Sequence, residues 1–394
     1  MTAPQDDLEN PPFSAYDAAK GLNIMHKVYI NSLGKFLPGE PVKNSEIDDY
    51  LGNQQYQSKN KALVLRQNRI KTRHYALDKN GQSLYSNAEM AAKAIRDAIE
   101  HSEISLSQVS FLASSTSLGD VLLPGLAAHI QAELGIGPLE IASLQSVCAS
   151  SLMAMKNAYL QIKCGEHALA AVSGSEFSSR YLKASVYELT DIYRETGEIP
   201  IESDFLRYTL SDGAGAAILE NKPNQHGLSL EIKWIDLKSY AHQFDICMVS
   251  GRSKDKKYWG DHPNAAICEQ RSALVLTQDY FSLKKMIPIW ISHGLDTLDR
   301  YDYKADDLDY FCSHYSSNSL KLDTLALMQK TAAYVPEEKW FSNLSTRGNT
   351  GAASIFIILE ELFNSGKLQK GQKVMCHVPE SGRCTNALML LEVV

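Results

Sequence analysis

The chain repeats one order of secondary-structure patterns, and this repeat constrains the fold more than any single motif does. In the first copy, a helical pattern that begins near Cys148 is followed by a strand pattern within residues 165–176 and by another at 216–220. In the second copy, a helical pattern begins after residues 348–351, and two strand patterns follow within 371–392. Such a repeat indicates a duplicated unit, and alternating helices and strands favour an α/β architecture with buried sheets.

The repeat predicts two halves, residues 27–221 and 222–394, preceded by an N-terminal arm at residues 1–26. In a duplicated fold the two equivalent helix starts would face each other across a pseudo-twofold axis. Asn349 would then lie opposite Cys148. The alternative is that two generic αβ units resemble each other by coincidence.

Composition is typical of a globular protein and argues against several functional classes. Of 394 residues, 44% are hydrophobic and 22% are charged, and the formal net charge of −7 gives no basic bias toward nucleic acid. No apolar run approaches the roughly 18–20 residues that span a bilayer. Residues 1–26 lack the pattern of a signal peptide. We expect a cytoplasmic protein that binds neither nucleic acid nor membranes.

The seven cysteines are odd in number and scattered, with no Cys-x-x-Cys pair. This use of cysteine is typical of a reducing compartment, and it argues against a disulfide framework or a structural zinc site. We expect no metal and no redox cofactor.

Cys148 is the first candidate for catalysis. It follows an apolar strand pattern at residues 139–144 and precedes an apolar helical pattern at residues 152–162. A helix N-terminus carries partial positive charge and unpaired N–H groups, and both favour a thiolate over a thiol. The sequence therefore predicts a nucleophilic cysteine that forms a covalent intermediate.

A histidine and an asparagine are candidate partners for this thiol. An apolar run at 308–313 ends at His314, as expected for a base on a loop after a buried strand, although a lone histidine is more often structural. His293 and His377 lie inside strand-like runs and are interpreted as packing histidines. Asn349 lies at a helix entrance, where it would either cap the helix or donate a neutral hydrogen bond into the site.

Six segments occur together in one order: residues 27–39, 66–74, 147–149, 211–216, the loop at His314, and 348–350. Together they resemble the thiolase superfamily, and within it the β-ketoacyl-acyl-carrier-protein (ACP) synthase III branch. The resemblance covers nearly the whole chain after residue 26. It implies a duplicated thiolase-like α/β fold with αβαβα layers.

The resemblance also implies a catalytic triad of Cys148, His314 and Asn349. Cys148 would be acylated by a thioester, and the other two would stabilise the enolate oxygen of the second substrate. The N–H of Cys148 and the backbone of residues 380–382 would form a second oxyanion hole. The substrates would be acyl-CoA or acyl-ACP thioesters without a further cofactor, and the family implies a homodimer.

The chain departs from the housekeeping synthase III enzymes around this site. Ser317 takes the place of an asparagine that follows the histidine loop in those enzymes. Their glycine-rich closing loop is replaced here, so that the oxyanion side of the pocket would carry Glu380, Ser381, Gly382 and Arg383. Glu380 and Arg383 would either form a surface salt bridge or position a polar or cyclising intermediate. Glu176 would be either a buried, paired carboxylate or an additional acid or base.

With the long segment 177–210, these variants resemble the ketosynthase–cyclases of bacterial dialkylresorcinol and stilbene biosynthesis. That resemblance implies that a β-ketoacyl and an α,β-unsaturated acyl thioester are joined, and that Michael addition and Claisen condensation close a 2,5-disubstituted cyclohexane-1,3-dione. One alternative is a simple synthase III that makes a linear β-ketoacyl product by decarboxylative condensation. Another is a non-catalytic partner subunit.

Basic residues and one loop are candidate contacts for partners. Arg66 corresponds to a cofactor-contacting position in the family, and with Ser317 it is the candidate contact for CoA or ACP. Two cationic runs would either meet a carrier or form solvated faces: Arg66, Arg69, Lys71 and Arg73, and Arg252, Lys254, Lys256 and Lys257. The loop at 117–124 would reach into the pocket of a partner subunit, as the matching family loop does.

Overall fold

The computed structural model describes residues 25–52 and 58–394, so the predicted arm at 1–26 lies almost entirely outside the described residues. The strands are β1 Tyr29–Phe36, β2 Val42–Lys43, β3 Thr72–Arg73, β4 Phe111–Thr116, β5 Glu140–Gln145, β6 Leu169–Glu176, β7 Gly213–Glu220, β8 Leu230–Ser239, β9 Met248–Val249, β10 Thr277–Gln278, β11 Tyr310–Ser313, β12 Lys373–Glu380 and β13 Thr385–Val393. The α-helices are α1 Ile47–Leu51, α2 Lys61–Asn68, α3 Asn87–Glu100, α4 Leu126–Leu134, α5 Ser150–Lys163, α6 Ser185–Glu188, α7 Asp191–Thr196, α8 Ile201–Arg207, α9 Ala265–Gln270, α10 Tyr280–Arg300, α11 Asn318–Met328, α12 Leu344–Arg347 and α13 Ser354–Phe363. Across these ranges, no helix is both long and apolar enough to cross a membrane.

One mixed sheet of nine strands organises the described chain, in the order β11-β12-β13-β8-β1-β7-β6-β4-β5. β4 runs parallel to β5 and β6, β11 runs parallel to β12, and the other neighbouring strands are antiparallel. The order is symmetric about the β1–β8 contact, because β7, β6 and β4 on one side correspond to β13, β12 and β11 on the other. The predicted internal repeat therefore reappears as repeated strand connectivity, while the boundary at 221/222 stays a prediction.

Two buried helices lie between the two halves of this sheet. α5 contacts strands of both halves, including β4, β6, β8 and β13, and α13 contacts β1, β7 and β11. Nearly every side of α13 is apolar and buried, as expected for a helix in a protein interior. α5 also contacts the short 3₁₀ turn Gly351–Ala353 that leads into α13. The two helix starts are therefore brought together at the centre of the molecule.

Helix capping follows the residue types in the sequence at α3 but not at α1. α3 begins after Ser86, whose Oγ accepts a hydrogen bond from the Glu89 N–H at 3.0 Å while the Glu89 carboxylate accepts from the Ser86 N–H. This reciprocal pair forms a capping box. At α1, Ser45 has the residue type of a helix cap but does not act as one, because the helix begins after Glu46 and no side chain caps it.

The interpretation of His293 as part of a strand-like run is also wrong. His293 lies in α10, where it is fully buried. The surrounding sequence is rich in isoleucine, which favours strands by local propensity. Packing of Leu283, Met286 and Trp290 in one apolar cluster stabilises the helix instead.

Candidate active site

Cys148 lies in the predicted strand–turn–helix segment. β5 ends at Gln145 and α5 begins at Ser150, so the thiol lies in the turn between them. The Cys148 carbonyl accepts hydrogen bonds from the Ser151 N–H at 3.3 Å and the Ser151 hydroxyl at 2.7 Å. Only 5% of Cys148 is exposed to solvent.

The surroundings of Cys148 oppose a thiolate, contrary to the prediction from its position alone. The Glu380 carboxylate accepts hydrogen bonds from the Ala149 N–H at 3.2 Å and from the Ser146 hydroxyl at 2.8 Å. The Glu380 carboxyl group therefore occupies the helix start, where burial raises its pKa and the hydrogen bonds from Ser146 and Ala149 oppose that shift. Burial, followed by the charges of Glu380 and Glu176, raises the pKa of the Cys148 thiol well above its usual range. The resting residue is a neutral thiol that must lose its proton as it reacts.

His314 follows the last residue of β11 and is buried. Its backbone N–H donates to the His377 carbonyl at 2.9 Å, which ties the strand end to β12. Burial lowers the pKa of the His314 imidazole to about 4. At neutral pH this ring is uncharged, so it can donate one N–H to a developing oxyanion without transferring a full positive charge.

Asn349 lies in the turn between α12 and α13. Its backbone N–H donates to the Thr209 carbonyl at 3.0 Å, and its carbonyl accepts from the Ser211 N–H at 2.9 Å. The side-chain Oδ1 accepts from the Gly351 N–H at 2.9 Å. These contacts fix the amide so that Nδ2, which donates to none of the described residues, remains available to a ligand.

Two cavities meet at Cys148. The first, here called the apolar cavity, also contacts His314 and is lined by residues such as Trp234, Ile287, Trp290, Leu298, Phe311 and Leu388. The second, here called the polar cavity, also contacts Asn349 and is lined by residues such as Gln145, Ser146, Glu176, Gln278, Glu380 and Arg383. The thiol is therefore accessible from two spaces of different chemistry.

Eight of the ten predicted site residues line these two cavities. They are Cys148, His314, Asn349, Glu176, Glu380, Ser381, Gly382 and Arg383. Arg66 and Ser317 line neither cavity. Arg66 is exposed on the last turn of α2, whereas Ser317 is fully buried and caps α11 through the Leu320 N–H at 3.4 Å.

Glu176 is a buried carboxylate at the end of β6. Its Oε1 accepts three hydrogen bonds, from the Ser117 N–H at 3.0 Å, the Ser117 hydroxyl at 2.7 Å and the Ala352 N–H at 3.1 Å. Burial raises the pKa of Glu176 to about 7, although these donors oppose the shift. Oε2 accepts no hydrogen bond from the described residues. Glu176 can therefore exchange a proton near neutral pH.

Glu380 and Arg383 do not form the surface salt bridge that the sequence left open. Glu380 is buried against the start of α5, whereas Arg383 is exposed and donates from Nε to the Phe244 carbonyl at 2.8 Å. Gly382 lies between them in a tight space, since a Cβ there would lie 3.0 Å from the Val147 side chain. The second oxyanion hole in this loop stays a prediction.

The first cationic run does not form one surface. Arg73 is fully buried and donates to the Tyr208 carbonyl at 2.6 Å and to the Asn44 side chain. Arg69 and Lys71 remain exposed beside Arg66. The burial of Arg73 was not predictable from the pattern of charges alone. Apolar residues do not recur in this run at a spacing that would distinguish a buried face from an exposed one.

Sequence reasoning missed the role of His377 and Ser313 as cavity residues. Both line the apolar cavity together with His314. The available signal was the two-residue alternation of strands, which places Met375, His377 and Pro379 on one face of β12.

Comparisons with known proteins agree with this geometry. The family model described as 3-oxoacyl-[acyl-carrier-protein (ACP)] synthase III C terminal matches residues 298–389, and the model described as thiolase, N-terminal domain, matches residues 70–195. β-Ketoacyl-[acyl-carrier-protein] synthase III of Streptococcus gordonii is 27% identical over 299 residues, covering 74% of this chain and 80% of that protein. The enzyme of the same name from Clostridium novyi is 24% identical over 357 residues, covering 89% and 94%.

Solved structures show the same fold. AbyA1, described as a tetronic acid condensing enzyme, superposes with a TM-score of 0.74 at 20% identity, covering 93% of this chain and 99% of that one. An OleA variant from Xanthomonas campestris superposes with a TM-score of 0.71 at 18% identity over the same shares. The predicted thiolase-like α/β fold is confirmed. One model thus matches the N-terminal part of the chain and the other the C-terminal part, and the chain is similar to proteins of the thiolase superfamily and, within it, to β-ketoacyl-ACP synthase III.

Proposed function

We propose that this thiolase-type condensing enzyme joins a β-ketoacyl thioester to an α,β-unsaturated acyl thioester and closes a 2,5-disubstituted cyclohexane-1,3-dione. The observation that carries the proposal is the position of Cys148 where two cavities meet, each of which brings a different candidate donor to the thiol. An acyl chain bound to the sulphur in one cavity leaves the other open to a second thioester. The names of the relatives support condensation of acyl thioesters as the general reaction.

In the first step an acyl thioester transfers its acyl group to Cys148. The sulphur forms a bond to the carbonyl carbon, the bond to the carrier sulphur breaks, and the carrier leaves as a thiol. Because the resting Cys148 is protonated, a base must take its proton during attack. We assign this role to Glu380, the first of the two carboxylates whose charge raises the thiol pKa. The same carboxyl then returns the proton to the departing thiolate.

In the second step a carbon nucleophile forms on the β-ketoacyl thioester. A carbon between two carbonyl groups is acidic, and Glu176 is assigned as the base that removes its proton. His314 and the Nδ2 group of Asn349 donate hydrogen bonds to the resulting enolate oxygen. The carbanion adds to the β-carbon of the enoyl thioester, and the α-carbon of that thioester takes the proton that Glu176 removed. Glu176 then removes a proton from the γ-carbon of the β-ketoacyl unit, and the new carbanion attacks the enoyl-derived thioester carbonyl, which closes the ring and releases a thiol that takes this proton. Water hydrolyses the remaining thioester and releases the second thiol, and loss of CO₂ from the resulting β-keto acid gives the dione.

The two cavities are assigned to different parts of the substrates. The apolar cavity holds a hydrocarbon chain, because its walls are aliphatic and indole side chains. The polar cavity admits the carrier arm, with the exposed Arg383 among its lining residues. Arg66 remains a proposed contact for CoA or an acyl carrier protein on the surface.

Product analysis tests the proposal. Purified protein is mixed with a β-ketoacyl thioester and an enoyl thioester, and the products are separated by chromatography and identified by mass spectrometry. The proposal expects a cyclic dione that is absent with the Cys148→Ala variant. Acyl transfer or linear products alone would remove the cyclase assignment while leaving condensation intact.

Linear condensation is the second candidate, because two curated relatives are named β-ketoacyl-ACP synthase III. That reaction needs Cys148, His314 and Asn349 but gives no role to Glu176. A malonyl thioester offered with an acyl thioester would then give a β-ketoacyl product. A Glu176→Gln variant would retain that activity.

We also propose that the protein is a homodimer. β5 is at the edge of the sheet, and among residues 25–52 and 58–394 it pairs only with β4, which leaves its other edge open to a second strand. Beside it, Leu122 is 79% exposed and Leu123 is 86% exposed. A second copy of the chain would cover these apolar side chains.

A further inference from the structure

A row of hydrogen-bonded polar side chains crosses an apolar face of the sheet. The face lies on four neighbouring strands, β11, β12, β13 and β8, and buries an apolar cluster that includes Trp234, Phe311, Met375 and Leu388. Each of the four strands contributes one polar residue to the row, and α10 adds two more. In order, the members are Ser313, His377, Asn386, His293, Asp236 and Arg300.

Every neighbouring pair in this row is in hydrogen-bond contact. Ser313 Oγ lies 3.0 Å from His377 Nδ1, and His377 Nε2 lies 2.9 Å from Asn386 Oδ1. Asn386 Nδ2 lies 3.1 Å from His293 Nδ1, and His293 Nε2 lies 2.8 Å from Asp236 Oδ1. Asp236 Oδ2 accepts from Arg300. Only the Arg300 side chain, 46% exposed, reaches solvent to a large extent, since the others are buried.

The Asp236 carboxylate and the Trp290 carbonyl set the direction of every bond in the row. A carboxylate only accepts, so His293 must carry its proton on Nε2 and accept at Nδ1. Asn386 donates from Nδ2 both to His293 and to the Trp290 carbonyl, the latter at 3.2 Å, and accepts at Oδ1. His377 must in turn carry its proton on Nε2, and its Nδ1 accepts from the Ser313 hydroxyl. Burial lowers the pKa of both imidazoles, so both rings are neutral.

We propose that this row, here called the histidine relay, is a positioning device for His314. Ser313 immediately precedes His314, and the relay binds its hydroxyl to the His377 ring. The His377 carbonyl also accepts from the His314 N–H at 2.9 Å. One residue of β12 thus holds the end of β11 by both a side-chain and a backbone contact. The relay also leaves the Ser313 oxygen as an acceptor, not a donor, toward the apolar cavity that it lines.

An Asn386→Leu variant tests the relay by interrupting it. Leucine neither donates to His293 and the Trp290 carbonyl nor accepts from His377 Nε2. Without an acceptor at Nε2, the His377 ring would populate the Nδ1–H form, and the Ser313 hydroxyl would accept from it and donate toward the cavity. Asp236→Asn is the matched control, because the Trp290 carbonyl holds Asn386 in place and the half-exposed Arg300 can turn away from the new amide.

Nitrogen NMR of histidine-labelled protein measures these tautomers directly. The relay requires the neutral Nε2–H form at His293 and His377 in the unmodified protein and in Asp236→Asn, and a shift of His377 toward the Nδ1–H form in Asn386→Leu. An Nδ1–H form of His377 in the unmodified protein, or no change at His377 in Asn386→Leu, would overturn the relay. The proposal rests on the assigned role of His314, but this measurement uses no substrate, so its failure is distinguishable from failure of the proposed function.

Kinetics separate positioning from simple stabilisation. Asn386→Leu and Ser313→Ala should each slow condensation by about tenfold or more, as expected for a misplaced donor, while acylation of Cys148 changes little. In the Ser313→Ala background, Asn386→Leu should have no further effect on condensation. Independent, additive effects, or equal losses in both steps, would assign the row a structural role only.

A second variant guards against poor folding of Asn386→Leu. His377→Gln places its amide where Nε2 lies in histidine, so it keeps a donor for Asn386 but has no acceptor at the position of Nδ1, which Ser313 uses. It should therefore slow condensation selectively while the deep part of the relay stays intact. Unchanged condensation in a folded His377→Gln protein would contradict the proposal.

Discussion

At the residue scale, Cys148 combines a helix-start position with surroundings that keep it protonated. By itself, the partial positive charge at the start of α5 would lower the pKa of the Cys148 thiol. Glu380 accepts from the Ala149 N–H at that same helix end and adds a buried negative charge. The net effect is a raised pKa, so attack by the thiol is coupled to proton removal.

Replacing Glu380 should therefore make Cys148 more acidic. Glu380→Gln retains an oxygen that can accept from Ala149 but removes the charge, so the pKa of Cys148 should fall. The pH dependence of Cys148 alkylation, followed by mass spectrometry, measures this change. Glu176→Gln is the matched control and should produce a smaller decrease, because its charge is the weaker influence. An unchanged or raised pKa in Glu380→Gln would refute this view of the helix start.

The raised pKa of Glu176 predicts that the rate of carbon–carbon bond formation depends on pH. With a pKa of about 7, its basic form is populated above neutral pH and lost as pH falls below it. The condensation rate should therefore rise through about pH 7 in the unmodified protein. Glu176→Gln should lose about 10²–10⁴-fold in rate and should also lose this inflection. A profile with the same inflection in the variant would exclude Glu176 as the base.

At the element scale, α10 separates the deep part of the site from solvent and forms one wall of the apolar cavity. Gly294 lies on this helix and lines the cavity, and a Cβ placed there would meet no atom within 4 Å. The position is thus open toward the space assigned to the acyl chain.

Filling that space should shorten the acyl chains that the enzyme accepts. Gly294→Leu should reduce turnover of long-chain thioesters by about tenfold or more relative to short ones, since a methylene contact in such a pocket changes selectivity by about 10–200-fold. Gly294→Ala is the matched control. It should leave the chain-length profile unchanged and raise the melting temperature, because alanine is favoured over glycine in a helix by about 1 kcal/mol. An identical profile in both variants would show that the chain binds elsewhere.

Prediction from sequence succeeded for elements whose signals are local. α3 is such an element, because Ser86 and Glu89 form a capping box at its start and its apolar residues have helical spacing. Prediction from sequence assigned the wrong secondary structure to His293. The isoleucine-rich segment around this residue forms a helix through packing with distant residues. Such prediction also could not give the pKa of Cys148, which depends on Glu380 more than 230 residues away.

At the scale of the whole molecule, the repeated unit explains how the candidate site is assembled. α5 carries Cys148 at its start, the turn before α13 carries Asn349, and both helices lie between the halves of the sheet. The internal repeat predicted that these helix starts come together, and both residues line the polar cavity. The split into two cavities was not predictable, because it depends on side chains of α10, β11 and β12 that no local pattern relates to Cys148.

The open edge of β5 and its neighbouring loop predict the oligomeric state. A double variant, Leu122→Asp with Leu123→Asp, should convert the dimer to monomers, because two charges would be buried in an apolar interface. Sedimentation velocity measures the change in mass. Phe281→Asp, at a residue that is 80% exposed on α10, is the matched control and should remain dimeric. A monomeric unmodified protein would contradict the proposed dimer.

The most direct test of the central claim follows one turnover on Cys148. Protein is loaded with an isotope-labelled acyl thioester, the mass increase is located on Cys148, and the second thioester is then added. We expect the label to leave the protein in a cyclohexane-1,3-dione that contains carbons of both substrates. A label that never binds Cys148, or that leaves only as a free acid or a linear product, would contradict this account.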